Sequence, residues 1–196
     1  MEKEDRRVRR TKKSLGDALI ALAQEEEYDE ITIQEITDRA DIGYRTFFRH
    51  YTDKDELLKD VLGATMQELR ELMVPPQPEL LASPNFQETE LKNAVVLFKH
   101  VHEHSDLYCL LLRSEREIIE SVKAFATQGI ETNIGAMIDP DIPLEIIANH
   151  IASSTLALVG WWLDKDMCYP PELMGGYLVR LIAQPTRDLF LQDSSK

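Results

Sequence analysis

The segment formed by residues 40–51 combines two arginines, a histidine and four aromatic residues. The planar guanidinium of Arg45 can donate two hydrogen bonds to O6 and N7 of a guanine, which is the commonest base-specific contact in the major groove of DNA. Phe47 stands where a helical side chain can pack inward, which leaves Tyr44, Arg45 and Arg49 facing outward. The chemistry that this set offers is contact with the bases and phosphates of a nucleic acid.

Two short helices must position these side chains. Thr32 is followed three residues later by Glu35, the capping-box spacing that predicts the start of a helix. Residues 41–43, Asp-Ile-Gly, predict a tight turn, and residues 44–51 predict two turns of a further helix. Two short helices joined by a three-residue turn are typical of the helix-turn-helix, whose second helix enters the major groove. An ordinary helical hairpin would explain the apolar residues of this segment, but not the outward basic and aromatic ones.

Longer helices are predicted on both sides of this segment. A first helix of about residues 7–26 is indicated by an apolar stripe at helical spacing, formed by Leu15, Ala18, Leu19, Leu22 and Ala23. A fourth helix begins at Thr52 or Asp53 and runs towards Met73, because the prolines that follow cannot continue it. Further helices are predicted near residues 86–104, 106–113, 115–138, 143–166 and 171–184. No stretch alternates apolar and polar residues convincingly, so the predicted fold class is all-α.

The net charge of -13 argues at first against a nucleic-acid partner, because DNA binding depends largely on neutralising phosphates. The acidic residues are concentrated in the later part of the chain: residues 1–59 hold 12 basic and 15 acidic residues, and residues 60–196 hold 10 and 20. The early part also has two basic clusters, which are Arg6, Arg7, Arg9, Arg10, Lys12 and Lys13, and then Arg45, Arg49, His50 and Lys54. The first cluster is either a solvated tail or, as we expect, an arm that contacts phosphate or the minor groove.

Residues 31–58, ITIQEITDRADIGYRTFFRHYTDKDELL, resemble the N-terminal domain of the TetR/AcrR family of transcriptional regulators. The family pattern has a turn of a small residue, glycine, an aliphatic residue and serine, then a threonine and aromatic pair, His-Phe and a lysine. The matching residues here are Ala40-Asp41-Ile42-Gly43, Thr46, Phe47-Phe48, His50-Tyr51 and Lys54. The sequence departs from the pattern at Asp41, where glycine is common, at Gly43, where serine is common, and at Phe48, where tyrosine is usual.

The resemblance implies roles for individual residues. Thr32, Thr46, His50 and Lys54 are expected to hold phosphates, while Gly43, Tyr44 and Arg45 approach base edges. The full predicted DNA-binding set is Thr32, Gly43, Tyr44, Arg45, Thr46, Phe48, Arg49, His50 and Lys54. The position of Lys54 in the first turn of a helix independently favours a phosphate contact, since helix N-termini attract anions. Phe48 lacks the hydroxyl with which a tyrosine would donate to phosphate.

The resemblance also implies that the two C-terminal helices pair with those of a second copy in a four-helix dimer interface. The predicted interface residues are Leu156, Val159, Trp162, Gly175, Leu178 and Ile182, and the alternative for each is the core of its own chain. A small-molecule effector would bind among polar or aromatic groups of the apolar helices. The candidates are His100, His104, Tyr108, Cys109, Arg113, Phe125, Asn133 and Trp161.

The sequence predicts no metal site, no cofactor and no catalytic centre. His100 and His104 have the spacing of a metal pair on one helix face, but no convincing third ligand accompanies them. No Ser-His-Asp arrangement or glycine-rich phosphate loop is present, so we expect the protein not to be an enzyme. Cys109 and Cys168 lie outside any CxxC spacing and are predicted to be free thiols.

These patterns together predict an N-terminal helix-turn-helix domain, residues 1–60 with the motif at about 32–51, joined to a larger helical effector-binding and dimerisation domain, residues 61–196. The N-terminus is charged where a signal peptide would be apolar, and the longest apolar run, residues 155–163, is too short to span a bilayer. We therefore expect a cytoplasmic homodimer that represses transcription from a palindromic DNA operator and is released by a small molecule. The alternative is a DNA-binding regulator without small-molecule input, controlled by a protein partner.

Overall fold

The computed structural model describes residues 2–74, 84–113, 119–120, 123–124, 127–128, 131 and 142–193. Within these ranges the regular structure is helical and contains no strand, so the predicted all-α class is confirmed. The chain forms two compact units. The first unit comprises residues 1–67 and 106–118, and the second unit comprises residues 68–105 and 119–196. The division of function between residues 1–60 and 61–196 stays a prediction.

Nine α-helices are fully delimited among the described residues. In chain order they are α1 Glu2–Leu22, α2 Ile33–Ala40, α3 Tyr44–Phe47, α4 Lys54–Leu72, α5 Pro84–Glu103, α6 Ser105–Arg113, α7 Leu144–Asp164, α8 Pro171–Leu178 and α9 Gln184–Asp193. A π-helical segment, Val179–Ala183, joins α8 to α9. The described residues between 119 and 131 are also helical, and the rest of the helix predicted at 115–138 lies outside the described residues.

The core of the first unit forms where α1, α2, α3 and the N-terminal part of α4 bury their apolar faces. Its fully buried side chains are Leu15, Leu19, Ile36, Phe47, Leu57 and Leu58. Gly16 lets α1 approach α4 closely, because a Cβ at this position would lie 2.7 Å from Cγ2 of Val61. The predicted stripe of α1 is therefore confirmed as the face that packs inward.

The ends of α1 differ from the predicted range of 7–26. The helix starts at Glu2, since the arginines and lysines of residues 6–13 are good helix formers. It ends at Leu22 because three glutamates, residues 25–27, follow, and negative charge is unfavourable at a helix C-terminus. The basic cluster of residues 6–13 thus lies on a helix, and its contact with phosphate or the minor groove stays a prediction.

The second unit has an aromatic centre. The rings of Phe98 on α5 and Trp162 on α7 meet edge to face with centroids 5.2 Å apart, and the Trp162 indole N–H donates to the Tyr169 carbonyl at 2.9 Å. Gly175 lets α8 approach α5, because a Cβ there would lie 2.8 Å from the backbone nitrogen of Val95. Close packing therefore explains this glycine inside a helix.

The helix predicted at 171–184 continues further than expected. Pro185 has no amide hydrogen and its ring crowds the carbonyl four residues earlier, which normally ends or kinks a helix. Here the backbone widens into the π-helical segment, and the Gln184 N–H donates to the Val179 carbonyl. The chain then resumes as α9, where Thr186 donates to the Ile182 carbonyl at 2.7 Å.

Helix α9 is also fixed to α5 by an ion pair. The Arg187 guanidinium donates to the carboxylate of Glu90, and both side chains are largely shielded from solvent. Burial raises the pKa of Glu90, although the guanidinium opposes that shift. This pair joins residues 97 positions apart in the sequence.

Helix α7 confirms the helix predicted near residues 143–166 and contains the apolar run of residues 155–163. By length and composition its 21 residues could cross a membrane, and 33% of its apolar window is buried within the protein. A single helix of this kind is weak evidence for a membrane span, because the core helix of a folded unit passes the same test.

Candidate nucleic-acid interface

The start of α2 is fixed by the predicted capping box. The Glu35 N–H donates to the Thr32 hydroxyl oxygen at 3.2 Å, and the Thr32 N–H donates back to the Glu35 carboxylate at 2.8 Å. Hydrogen bonds from the Thr32 hydroxyl and backbone lower the pKa of Glu35. Thr32 therefore lies exposed at the helix start with its side chain engaged by Glu35.

The turn after α2 depends on an aspartate in the left-handed backbone region. Asp41 has φ 54° and ψ 43°, and its N–H donates to the Asp38 and Thr37 carbonyls at the end of the helix. Glycine adopts this conformation without strain, whereas other residues carry a cost of roughly 1–2 kcal/mol that aspartate partly escapes. The family's usual glycine is thus explained by backbone geometry, and Asp41 satisfies that geometry at some cost.

Helix α3 is a single turn, shorter than the two turns predicted. Phe47 is fully buried, while Tyr44 and Phe48 are 46% and 47% exposed and their rings meet edge to face at 5.1 Å. Arg45 and Arg49 are exposed as well. The prediction that Phe47 packs inward while Tyr44, Arg45 and Arg49 face outward is therefore confirmed.

The remaining predicted contacts lie around this helix. Gly43 is its exposed N-cap residue, and the Thr46 N–H donates to the Gly43 carbonyl at 2.7 Å. Thr46 and His50 are half-buried. These residues lie beside the exposed arginines along the chain, and their contacts with DNA stay predictions.

Lys54 has a structural role that the sequence did not predict. Its ammonium donates to three backbone carbonyls in the α1–α2 loop, those of Tyr28 at 2.7 Å, Asp29 at 3.0 Å and Ile31 at 3.0 Å. A lysine has three N–H donors, and all three are engaged. The predicted phosphate contact of Lys54 is therefore corrected, because no donor is left for a phosphate oxygen.

The surroundings of Lys54 strengthen this connection. Its ammonium lies 4.7 Å from the centre of the Tyr28 ring, and the Tyr28 hydroxyl donates to Asp55 at 2.5 Å. Asp53 accepts the Glu56 N–H at 2.8 Å, which caps the start of α4 where the sequence predicted it. The loop before α2 is thus fastened to the first turn of α4.

A second polar group, which sequence reasoning missed, fastens the end of the motif. The Tyr51 hydroxyl donates to Asp60 at 2.6 Å, and the Lys12 ammonium donates to the same carboxylate at 3.1 Å. Burial and the bond to Asp60 raise the pKa of Tyr51. Burial pushes the pKa of Asp60 up, but the hydrogen bonds from Tyr51 and Lys12 outweigh it and leave this pKa below its ordinary value. The tyrosine at this position therefore uses its hydroxyl within the protein.

The predicted effector residues are distributed over both units. Tyr108, Cys109 and Arg113 lie on α6 in the first unit, His100, His104 and Trp161 lie in the second unit, and Phe125 and Asn133 lie outside the described residues. An open depression of about 490 Å³ in the second unit is lined by Thr127, Glu131, Glu145, Ile146 and Asn149. Of the predicted residues that the structure describes, none lines this depression.

The predicted dimer residues mostly face the core of their own chain. Val159, Trp162, Gly175, Leu178 and Ile182 are buried, and Leu156 is half-buried. Because a buried side chain cannot reach a second copy, the interface prediction is wrong for these five. The exposed apolar residues of this region are instead Ile146, Trp161, Tyr169, Leu173 and Leu181. Trp161, predicted as a pocket wall, is therefore a surface residue.

Comparison with known proteins gives two family matches. Residues 15–61 match the model described as bacterial regulatory proteins, tetR family, and residues 88–184 match that of a transcriptional regulator C-terminal region. A curated relative, the HTH-type transcriptional regulator YxbF of Bacillus subtilis, is 27% identical over 177 residues. That alignment covers 87% of this chain and 44% of YxbF, so the chain spans less than half the length of this relative.

Solved structures share the fold. A TetR transcriptional regulator from Streptococcus agalactiae matches with a TM-score of 0.64 and 23% identity, covering 91% of this chain and 97% of the other. The regulator FadR from Bacillus subtilis, solved in complex with stearoyl-CoA, matches with a TM-score of 0.61 and 15% identity, covering 86% and 96%. At these identities the likeness concerns the fold.

Replacing Lys54 tests its role as a connection to the α1–α2 loop. We expect Lys54→Ala to lower the free energy of unfolding by about 1–3 kcal/mol, since three carbonyls lose a charged donor. The exposed Lys92→Ala on α5 is the control and should change stability little. Urea unfolding measures both. Unchanged stability together with a salt slope of DNA binding reduced by about 1 would restore the phosphate role.

Two replacements of Asp41 separate backbone strain from charge. Asp41→Gly should raise the free energy of unfolding by about 1 kcal/mol, because glycine removes the left-handed strain. Asp41→Asn tolerates the same conformation and should leave stability nearly unchanged. Both variants remove a negative charge beside the motif and should bind DNA more tightly. Loss of stability in Asp41→Gly would contradict the strain account.

Proposed function

Because the chain belongs to the TetR family of DNA-binding transcriptional regulators, we propose that it binds a palindromic operator as a homodimer and represses transcription until an effector releases it. The outward set of Tyr44, Arg45 and Arg49 over the buried Phe47 is the observation that carries this proposal. Members of the family regulate transcription rather than catalyse reactions, and we propose the same, in the cytoplasm, for this chain.

The exposed arginines of the motif are available to DNA in a way that Arg39 and Lys12 of the same unit are not. Arg39 pairs with Glu25 at 2.6 Å, and Lys12 with Asp60 at 3.1 Å. Across the part of the chain that the structure describes, Arg45 and Arg49 take part in no ion pair. We assign Arg45 to a guanine edge and Arg49 to a phosphate.

The other proposed contacts surround these arginines. Gly43 and Tyr44 approach base edges, and Thr32, Thr46 and His50 lie along the phosphate backbone. The exposed Phe48 ring would be covered by the DNA surface on binding, although it has no hydroxyl to donate. The exposed arginines of α1, residues 6, 7, 9 and 10, add positive charge from a helix.

The proposed dimer surface is the exposed apolar group of the second unit. Trp161 and Tyr169 stack with centroids 6.3 Å apart, and Tyr169 meets Tyr177 edge to face at 6.0 Å. Leu173 and Leu181 extend this group, and Leu181 is 68% exposed. A second copy is the proposed occupant, because two-fold symmetry presents two recognition helices about 34 Å apart, matching half-sites one DNA turn apart.

A small-molecule effector is supported only at the level of the fold, by the stearoyl-CoA complex of the FadR neighbour. The depression lined by Thr127, Glu131, Glu145, Ile146 and Asn149 is open to solvent. An open surface favours a second candidate function, in which a protein partner and not a small molecule controls the regulator. Thermal-shift screening with acyl-CoA thioesters tests the first candidate, and a stabilising shift would favour it.

Replacing Arg45 and Arg49 tests how the protein recognises DNA. A gel-shift titration on DNA upstream of the protein's own gene, at two salt concentrations, measures affinity and salt slope. Arg45→Ala should relax selectivity at one base position at a cost of about 1–3 kcal/mol, whereas Arg49→Ala should weaken all sequences and lower the slope by about 1. Equal selectivity of both variants would contradict these assignments, and no binding at low salt would remove the regulator proposal.

A charge on the proposed dimer surface tests the assembly. Leu181→Glu should shift the protein from dimer to monomer in sedimentation velocity, because an unpaired carboxylate would have to be buried in the interface. Leu91→Glu, at an exposed leucine of α5 outside the Trp161–Tyr169–Tyr177 group, is the matched control. A dimer that survives Leu181→Glu at micromolar concentration would exclude this surface.

A further inference from the structure

Three potential metal ligands lie together in the second unit. His100 lies on α5 and His104 directly follows that helix, one turn further on, with ring centroids 4.5 Å apart. Glu68, near the end of α4, brings a carboxylate to the same place, and the ligand atoms of the three residues all lie within 4.8 Å of one another. We propose that Glu68, His100 and His104 form a binding site for a divalent transition-metal ion.

Glu68 supplies the third ligand that the sequence lacks near the histidine pair. Its Oε2 lies 3.7 Å from Nε2 of His104. Glu68 precedes His100 by more than thirty residues, so no local spacing reveals the group. The prediction that no metal is bound rested on that missing ligand, and the fold supplies it.

The donor set decides the kind of ion. Two imidazole nitrogens and a carboxylate oxygen suit Zn²⁺ and neighbouring first-row metals, whereas Ca²⁺ and Mg²⁺ prefer oxygen ligands alone. With bonds of about 2.0–2.2 Å, ligand atoms around a tetrahedral zinc lie roughly 3.3 Å apart. The observed spread of up to 4.8 Å therefore requires a closure of about 1.5 Å or less. The exposed side chain of Glu68 can supply that movement by changing rotamer.

The burial of the three residues gives the site a closed side and an open side. His100 is only 1% exposed, His104 is half-buried, and Glu68 is exposed. A metal held here would have protein on one side and a position open to water or to a further ligand on the other. Three protein ligands with one open position are typical of zinc sites that exchange a ligand.

The alternative to a metal site is a simple ion pair between His104 and Glu68. Such a partly exposed pair contributes little to stability and does not involve His100. A metal requires all three residues, binds the folded protein preferentially, and so raises its melting temperature with metal concentration. The two arrangements therefore differ in a measurable way.

The test uses the full chain without an affinity tag, stripped of metal and titrated with ZnCl₂ by calorimetry. We expect one saturable site per chain, and in the Co²⁺-loaded protein a visible absorption band from nitrogen and oxygen ligation. His104→Ala and Glu68→Gln should each weaken Zn²⁺ binding at least about 100-fold, more than loss of an outer-shell partner does. His102→Ala and Glu103→Gln, matched exposed residues of α5, should leave it unchanged.

Two results would overturn the proposal: no saturable binding of one ion per chain, or an equal loss of affinity in the matched controls. Glu68→Gln is the decisive variant, because an exposed isosteric change leaves the fold intact even if His104→Ala does not. Circular dichroism of each variant verifies folding before titration.

Discussion

The proposed DNA-binding surface depends on the burial of one phenylalanine beneath a single helical turn. A helix as short as α3 cannot stabilise itself, because the nucleation of a helix is unfavourable and four residues gain few hydrogen bonds. Phe47 fixes this turn to the core of the first unit, with its ring 5.7 Å from that of Tyr51. Once Phe47 points inward, helical geometry obliges Arg45 to point outward, and Arg49 is exposed in the turn that follows. The exposure of the two arginines is thus a consequence of the buried core beneath them.

Polar connections hold the segments around α3 in place. Lys54 and Asp55 fasten the loop before α2 to α4, and Tyr51 with Asp60 fastens the turn after α3 to α4. Several carboxylates of the first unit accept hydrogen bonds in this way. Part of the negative charge of the chain therefore stabilises the fold. Carboxylates that accept hydrogen bonds within the protein hold the scaffold in place, while the exposed arginines of α3 and its flanking turn remain free to meet phosphate.

The sequence predicts much of the local structure. Periodicity and capping identify α2, the start of α4 and the inward direction of Phe47, because these depend on neighbours within a few residues. The sequence could not reveal the structural role of Lys54, because the three carbonyls that accept its hydrogen bonds lie 23 to 26 positions away. It also could not choose between Trp161 and Trp162 in an almost uniformly apolar helix. The partner helix decides: Phe98 covers Trp162 and leaves Trp161 at the surface. Glu68 joins the two histidines for the same reason, through tertiary proximity.

Chemical footprinting of guanine N7 on the bound operator tests the central claim most directly. A dimer that inserts α3 into successive major grooves protects guanines in two half-sites whose centres lie about 10 base pairs apart on one face of the DNA. Protection should disappear at the guanine that Arg45 contacts when Arg45 is replaced by alanine. No protection of guanine N7 in the bound operator, or the same footprint with and without Arg45, would contradict the account.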